Sequence, residues 1–207
     1  MYGIREEVSM DNYVITFSRS FGSDGEKIAK AVSDKLGISY YNNSIIALGA
    51  QMDNDDTHDN EMLSRLKMLT EPEFSNPIDK KFMPDLDAYN KQKCIIESIA
   101  KTDRSVIVGK CADYVLKDYD NVFSVYISAP HQKCLKNTLC QMDITIDEAE
   151  NYILKTDKYR SDYYRFYTGG NNWNNPVNYD LALNSGKIDD DTCVDIIVNA
   201  VREKFGI

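Results

Sequence analysis

The stretch from Tyr13 to Gly37 constrains the fold of this chain more than any other part of its sequence. It begins with Val14, Ile15 and Phe17, a short apolar run with β-branched members that is typical of a buried strand. A loop containing two glycines follows. Apolar side chains then recur at helical spacing at Ile28, Ala29, Val32 and Leu36. The sequence therefore predicts a strand, a tight loop and a helix, an arrangement whose helix N-terminus favours an anion.

The loop between this strand and helix is expected to hold phosphate, although it departs from the usual motif. That motif reads Gly-x-x-x-x-Gly-Lys-Ser/Thr, and Gly25 stands where its lysine would be. Lys27 is the cation that could substitute, and Ser20 or Ser23 could offer a hydroxyl to Mg²⁺. The alternative is that the two glycines only permit a tight turn. Candidate phosphate contacts in this region are Ser18, Arg19, Ser20, Gly22, Ser23 and Gly25.

Three parts of the chain resemble one protein family in the same order. They are SRSFGSDGEKIAKAVSDKLG at 18–37, VIVGKCADYVL at 106–116, and KTDKYRSDYYRFYTG at 155–169 followed by NYDLALNS at 178–185. The first is similar to the S-R-x-F-G-S-G-G-R-x-I opening of the cytidylate-kinase-like family. This resemblance implies an α/β, P-loop NTPase-like fold in which helices flank a parallel sheet.

The same resemblance implies how the chain is divided. Residues 1–207 would form a single P-loop kinase-like domain, with an inserted helical acceptor-binding lobe at about 42–84 and a lid at about 146–176. The lobe assignment depends on position alone. A surface insertion without ligand contacts is the alternative for that segment.

A second candidate site element follows the apolar run Val106 to Val108, which is continuous as expected for a covered parallel sheet. Ligand groups in open α/β sheets lie at the carboxyl ends of strands, which makes Lys110 and Asp113 candidates. Many members of the resembled family have an arginine where this chain has Lys110. A lysine keeps the charge but loses the bidentate geometry. Asp113 is expected to order Lys110 or a metal, unless it is an ordinary exposed acid at a helix start.

The segment 146–170 predicts a helix that becomes rich in cations and tyrosines. Asp157, Arg160 and Tyr164 project in similar directions at helical spacing. An arginine presented from a lid can neutralise transferring phosphates. Lys27 and Arg160 are therefore the two candidate catalytic residues. The resemblance adds Lys155 and Asp157 as nucleotide contacts. A solvated helix with ion pairs and packed tyrosines is the alternative.

The last strand and helix are predicted from Tyr179 onward. Leu181 and Leu183 alternate with polar or small residues, which predicts a strand. Asp180, just before this strand, is a further candidate for nucleotide contact. The closing segment from Asp189 to Phe205 has an acidic first turn and an apolar stripe, and we expect a structural helix.

Charge and cysteine content exclude several classes of protein. A net charge of −9 argues against a nucleic-acid binder. The five cysteines are scattered without a CxxC pair, which favours reduced thiols in a cytoplasmic protein. Residues 1–11 are charged and lack the apolar segment of a signal peptide, and no membrane span is expected.

Two hypotheses of function follow. The first is an ATP-dependent kinase that uses Mg²⁺ to transfer a phosphoryl group to CMP, another nucleoside monophosphate or a similar small acceptor. The second is a non-catalytic binder of a nucleotide or phosphometabolite with a degenerate loop. The fold alone cannot choose between them.

Overall fold

A computed structural model describes residues 12–42, 46 and 81–207 of the chain. Its strands are β1 (Val14–Arg19), β2 (Ser39–Tyr41), β3 (Ser105–Val108), β4 (Val122–Ser128) and β5 (Leu181–Asn184). The helices labelled here are α1 (Gly25–Leu36), α2 (Leu86–Thr102), α3 (Ala112–Val115), α4 (His131–Gln141), α5 (Ile146–Tyr167) and α6 (Asp190–Phe205). A 3-10 turn spans Pro176–Asn178. Most of the expected acceptor lobe, residues 43–45 and 47–80, lies outside the described residues.

The five strands form one parallel sheet in the order β2-β3-β1-β4-β5. The central strand is β1, whose Val14 is paired with Ser105 of β3 and Val122 of β4. All residues of β1 and β3 are buried, as the continuous apolar runs predicted. The expected α/β, P-loop NTPase-like sheet flanked by helices is therefore confirmed. Its parallel strands place their carboxyl ends at one edge.

Helices cover both faces of the sheet. Side chains of β1 alternate between two apolar clusters, because successive residues of a strand point to opposite faces. Ile15 and Phe17 pack with α1 and α6, whereas Val14 packs with α2 and α3. The first cluster contains Ile28, Val32, Ile197 and Val201, and the second contains Ile95, Ile96, Ile99 and Leu116.

Capping residues fix where three helices begin. Asp85 accepts a hydrogen bond from Ala88 N at 2.9 Å, and Asp189 does the same for Thr192 N. Thr145 and Glu148 form a reciprocal capping box at the start of α5. Over residues 12–42 and 81–207, no helix combines the length and the apolar character needed to cross a membrane.

Candidate functional site

The loop after β1 is shaped by two glycines that contact neighbouring backbone and side-chain atoms. Gly22 has φ 74°, and a Cβ at this position would lie 2.6 Å from the carbonyl oxygen of Cys134 in α4. A Cβ at Gly25 would lie 2.5 Å from Cβ of Arg19. Only glycine fits at both positions. The first N–H groups of α1 have no intrahelical acceptor, so this end of α1 suits a phosphate.

Helix α5 contacts the backbone of this loop directly. Oδ1 of Asp157 accepts a hydrogen bond from Phe21 N at 2.9 Å. Arg160 donates from one terminal nitrogen to the carbonyl oxygen of Arg19 at 3.0 Å and to Asp157 Oδ1 at 3.3 Å. The structure thus brings Asp157 and Arg160 to the loop that the sequence assigned to phosphate.

Burial changes the ionisation of this pair. Burial lowers the pKa of the Arg160 guanidinium to about 9, and the nearby Arg19 acts in the same direction. Burial raises the pKa of the Asp157 carboxyl above its ordinary value, although Arg160 opposes this change. Nε of Arg160 is buried and has no hydrogen-bond partner among the described residues. Arg160 therefore retains a donor that an entering anion could use.

The other charges near the loop are neutralised within the protein. Arg19 pairs with Glu26 at 3.3 Å. Lys133 of α4 pairs with Asp24 at 3.1 Å and with Asp190 at 3.3 Å. A triphosphate would thus meet cations that already face carboxylates, so its binding requires some of these pairs to open.

Lys27 lies on the outer side of this charge cluster. Its amine contacts Asp190 at 3.1 Å, and its side chain is 75% exposed. The structure does not bring Lys27 together with Arg160, because the first turn of α1 directs its amine toward α6. Lys133, which sequence reasoning passed over, also reaches the carbonyl oxygen of Ser185 at 2.9 Å. Its position in the first turn of α4, the helix that follows β4 and Pro130, was the available signal.

The second part of the site follows β3. Gly109, Lys110 and Cys111 have φ values of 80°, 56° and 55°. Left-handed backbone costs a non-glycine residue about 1–3 kcal/mol and is concentrated at functional sites. The Lys110 amine lies 5.5 Å from the centre of the Tyr163 ring, and burial lowers its pKa. The structure therefore places Lys110 at the carboxyl end of a strand, as predicted.

Asp113 is buried, which excludes the alternative that it is an exposed helix-start acid. It is 8% exposed and accepts a hydrogen bond from the Tyr164 hydroxyl at 2.6 Å. Burial raises the pKa of its carboxyl from 3.8 to about 6, while the hydrogen bond from Tyr164 acts in the opposite direction. Helix α5 thus reaches both the β1 loop and the end of β3.

Aromatic residues that the sequence reading did not assign to the site pack against the loop. Tyr126 of β4 stacks on Tyr179 with ring centres 5.2 Å apart, and Trp173 meets Tyr126 edge-on. Hydroxyl groups of Tyr126 and Ser20 share a hydrogen bond at 3.2 Å. Only the tertiary structure reveals this aromatic cluster of Tyr126, Trp173 and Tyr179, since its residues come from separate segments.

The remaining predicted residues are placed differently. Ser18 is buried at the end of β1. Ser23 is buried and donates to the Ser20 carbonyl oxygen at 2.9 Å, so its hydroxyl is turned into the loop. Lys155 is exposed on α5. Asp180 accepts from Ser124 N at 2.8 Å, which places it beside the middle of β4 rather than at a carboxyl end.

The described residues contain no group of three or more His, Cys, Asp and Glu side chains arranged to hold a metal ion. Of the two candidate serines, Ser20 shares a hydrogen bond with the Tyr126 hydroxyl, whereas the Ser23 hydroxyl donates to the backbone within the loop.

Comparisons with known proteins agree with this geometry. The sequence matches the cytidylate kinase-like family over residues 14–187. It is 27% identical to a cytidylate kinase of Archaeoglobus fulgidus over 194 residues, which cover 92% of this chain and 95% of that protein.

Solved structures show the same fold. An uncharacterized protein from Eubacterium ventriosum superposes with a TM-score of 0.72 at 24% identity, over 92% of this chain and 98% of the other. Shikimate kinase from Bacteroides thetaiotaomicron has a TM-score of 0.51 at 10% identity, over 94% of this chain and 99% of the enzyme. At these identities the likeness concerns the fold alone.

Proposed function

The chain belongs to the cytidylate kinase-like family, and on this premise we propose that it is an ATP-dependent phosphotransferase acting on a nucleoside monophosphate or a similar small acceptor. A phosphotransferase is what the family and the kinase-like fold support. The use of ATP and the choice of acceptor are the proposal.

One observation carries the proposal: Arg160 of α5 lies against the β1 loop, and its buried Nε has no hydrogen-bond partner within the part of the chain that the structure describes. Phosphoryl transfer asks a protein mainly for positioning and for cations that stabilise charge on the moving phosphoryl group. An arginine next to a phosphate-binding loop meets the second need. A protein that only binds a nucleotide needs no cation placed to stabilise the transition state of transfer.

The roles of the other residues follow from their places. The N–H groups of the loop and of the first turn of α1 would hold donor phosphates. Lys110, at the end of β3, would face the phosphate of the acceptor. Mg²⁺ bound through those phosphates would neutralise charge, and Ser20 is the residue that would offer it a hydroxyl. Lys27 joins this machinery only if its amine leaves Asp190.

The test is ADP release from ATP and Mg²⁺ with a panel of nucleoside monophosphates. We expect turnover that depends on one acceptor and falls about 10²–10³-fold in Arg160→Met. Arg160→Lys keeps the charge but loses the bidentate geometry of the guanidinium. We expect its turnover to lie between those of the unchanged protein and Arg160→Met. Lys158→Met is the matched control, because Lys158 is exposed on the same helix and pairs with Asp162.

The opposite result has a clear form. If no monophosphate of the panel supports ADP release while ATP still raises the melting temperature, the protein is a non-catalytic nucleotide binder or uses an acceptor outside the panel. An equal loss of turnover in Arg160→Met and Lys158→Met would also contradict the assignment of Arg160.

A further inference from the structure

Two adjacent tyrosines of α5 hold the segment that carries Lys110. The Tyr163 ring lies beneath the Lys110 amine at 5.5 Å, and its hydroxyl donates to Gln92 Oε1 at 3.1 Å. The Tyr164 hydroxyl donates to Asp113 Oδ2 at 2.6 Å. Both ends of the segment are therefore fixed from the same helix.

The segment needs such support because its own backbone is unfavourable. Lys110 and Cys111 are consecutive non-glycine residues in the left-handed region, with φ values of 56° and 55°. The helix that follows, α3, has only four residues. Ala112 N donates to the Gly109 carbonyl oxygen at 3.1 Å, and Val115 N donates to that of Cys111 at 2.8 Å. A conformation this costly persists only where the surroundings hold it.

The contact between Tyr164 and Asp113 is the strongest of these supports. It is short, it is charge-assisted when Asp113 is ionised, and both side chains are at least nine-tenths buried, at 5% and 8% exposure. A buried hydrogen bond to a carboxylate orders both partners more than an exposed one does.

We propose that Tyr164 and Asp113 form a positioning pair that holds the Lys110 turn in its left-handed conformation and so aims the Lys110 amine at the acceptor phosphate. This inference rests on the proposed function for the identity of the acceptor. Neither residue of the pair touches the reacting groups. The pair acts through Lys110, and it ties acceptor binding to the helix that also carries Arg160.

The kinetic test uses Tyr164→Phe, which removes one hydroxyl and keeps the ring. We expect the KM for the acceptor to rise roughly tenfold, with kcat and the KM for ATP within about twofold of the unchanged protein. Tyr167→Phe is the control, because Tyr167 lies one turn further along α5 and its hydroxyl bonds the backbone of Asp85. Asp113→Asn, which keeps an acceptor for Tyr164, is expected to retain most acceptor affinity, whereas Asp113→Leu is not.

A second measurement does not depend on turnover. Cys111 belongs to the turn and is 4% exposed, so a thiol reagent reaches it only when the turn opens. We expect N-ethylmaleimide to label Cys111 at least about fivefold faster in Tyr164→Phe, as followed by mass spectrometry. Labelling of Cys134, which is 3% exposed and belongs to α4, is expected to stay unchanged.

The outcomes separate the two proposals. If the unaltered protein turns over no monophosphate, the proposed function fails for this class of acceptor, and Cys111 labelling alone decides whether the pair holds the turn. Unchanged labelling in Tyr164→Phe overturns the positioning pair, whatever the kinetics show. A joint loss of kcat, both KM values and melting temperature also overturns it, since that pattern indicates a general structural role.

Discussion

The carboxylate of Asp157 accepts a hydrogen bond from the backbone N–H of Phe21 at 2.9 Å, although the two residues are 136 positions apart. Backbone N–H groups of such loops are the donors that bind phosphate. A side-chain carboxylate and a nucleotide phosphate would therefore use the same donor. Because Arg160 pairs with this carboxylate, an entering phosphate would displace Asp157 and take over its partner.

We expect Asp157→Asn to bind ATP about three- to tenfold more tightly, because one negative charge leaves the phosphate site. The melting temperature is expected to fall, because the buried cations Arg160 and Arg19 then lose the nearby negative charge of Asp157. Isothermal titration calorimetry measures the first effect and thermal unfolding the second. Asp162→Asn on the same helix is the control, since Asp162 pairs with exposed Lys158. Weaker ATP binding in Asp157→Asn would show that this carboxylate does not compete with phosphate.

Asp113 makes stability depend on pH in a defined direction. Its folded-state pKa of about 6 lies above the ordinary value of 3.8, so the folded protein keeps a proton there that the unfolded chain releases. The contribution of Asp113 to the free energy of unfolding is thus full below about pH 4 and is lost as the pH rises through about 6. The groups facing it are Tyr164 from α5, Tyr89 from α2, Tyr179 and the neighbouring Cys111.

This sign gives a measurable difference. Asp113→Asn is expected to be more stable than the unchanged protein at about pH 8, by up to about 3 kcal/mol, since no charge is then buried. The gap should close toward pH 4. Urea unfolding at a series of pH values measures it. A gap that stays constant across this range would mean that Asp113 does not titrate with a raised pKa.

Gly22 and Gly37 allow backbone strain to be separated from steric contact. Both have positive φ, 74° and 66°, but only a Cβ at Gly22 meets another atom, the Cys134 carbonyl oxygen at 2.6 Å. We expect Gly22→Ala to lose roughly 1–3 kcal/mol more of the free energy of unfolding than Gly37→Ala, because the loop must move away from α4. Chemical denaturation of both variants provides the comparison, and equal losses would refute the contact.

Lys110 should determine acceptor affinity rather than ATP affinity. Lys110→Met keeps the length of the side chain and removes its charge, so we expect the acceptor KM to rise about 10–100-fold. The KM for ATP should change little. Lys117→Met is the matched control, because Lys117 is exposed and its amine lies over the Tyr114 ring at 4.4 Å. Comparable increases in the KM for the acceptor and the KM for ATP would contradict the assignment of Lys110 to the acceptor.

Much of the fold was predictable because it depends on local patterns. The apolar residues Val14, Ile15 and Phe17 and the continuous apolar run Val106 to Val108 each lie in a fully buried strand. The spacing of apolar residues in α1 and α6 likewise placed both helices on the sheet. Strands alternating with helices leave few ways to arrange a parallel sheet, since crossovers are right-handed.

The site was easiest to predict where its residues are next to a strand end. Lys110 and the loop after β1 follow strands directly, so sequence position was enough to place them. Lys27 was harder, because the direction of its amine depends on Asp190, 163 positions away. Asp180 has the same difficulty, because its carboxylate is held by the backbone of β4.

The sequence by itself determined the strands, the helices, the parallel character of the sheet and the family, because apolar periodicity, caps and local motifs are properties of short segments. The tertiary structure alone decided that α5 lies over both ends of the site, that Asp157 occupies a loop N–H, and that Tyr164 holds Asp113. Those contacts join residues more than 50 positions apart, and their geometry depends on how the helices pack on the sheet. Burial then shifts the pKa values of Asp113 and Arg160, because these groups lose contact with water in the folded protein and not in the unfolded chain.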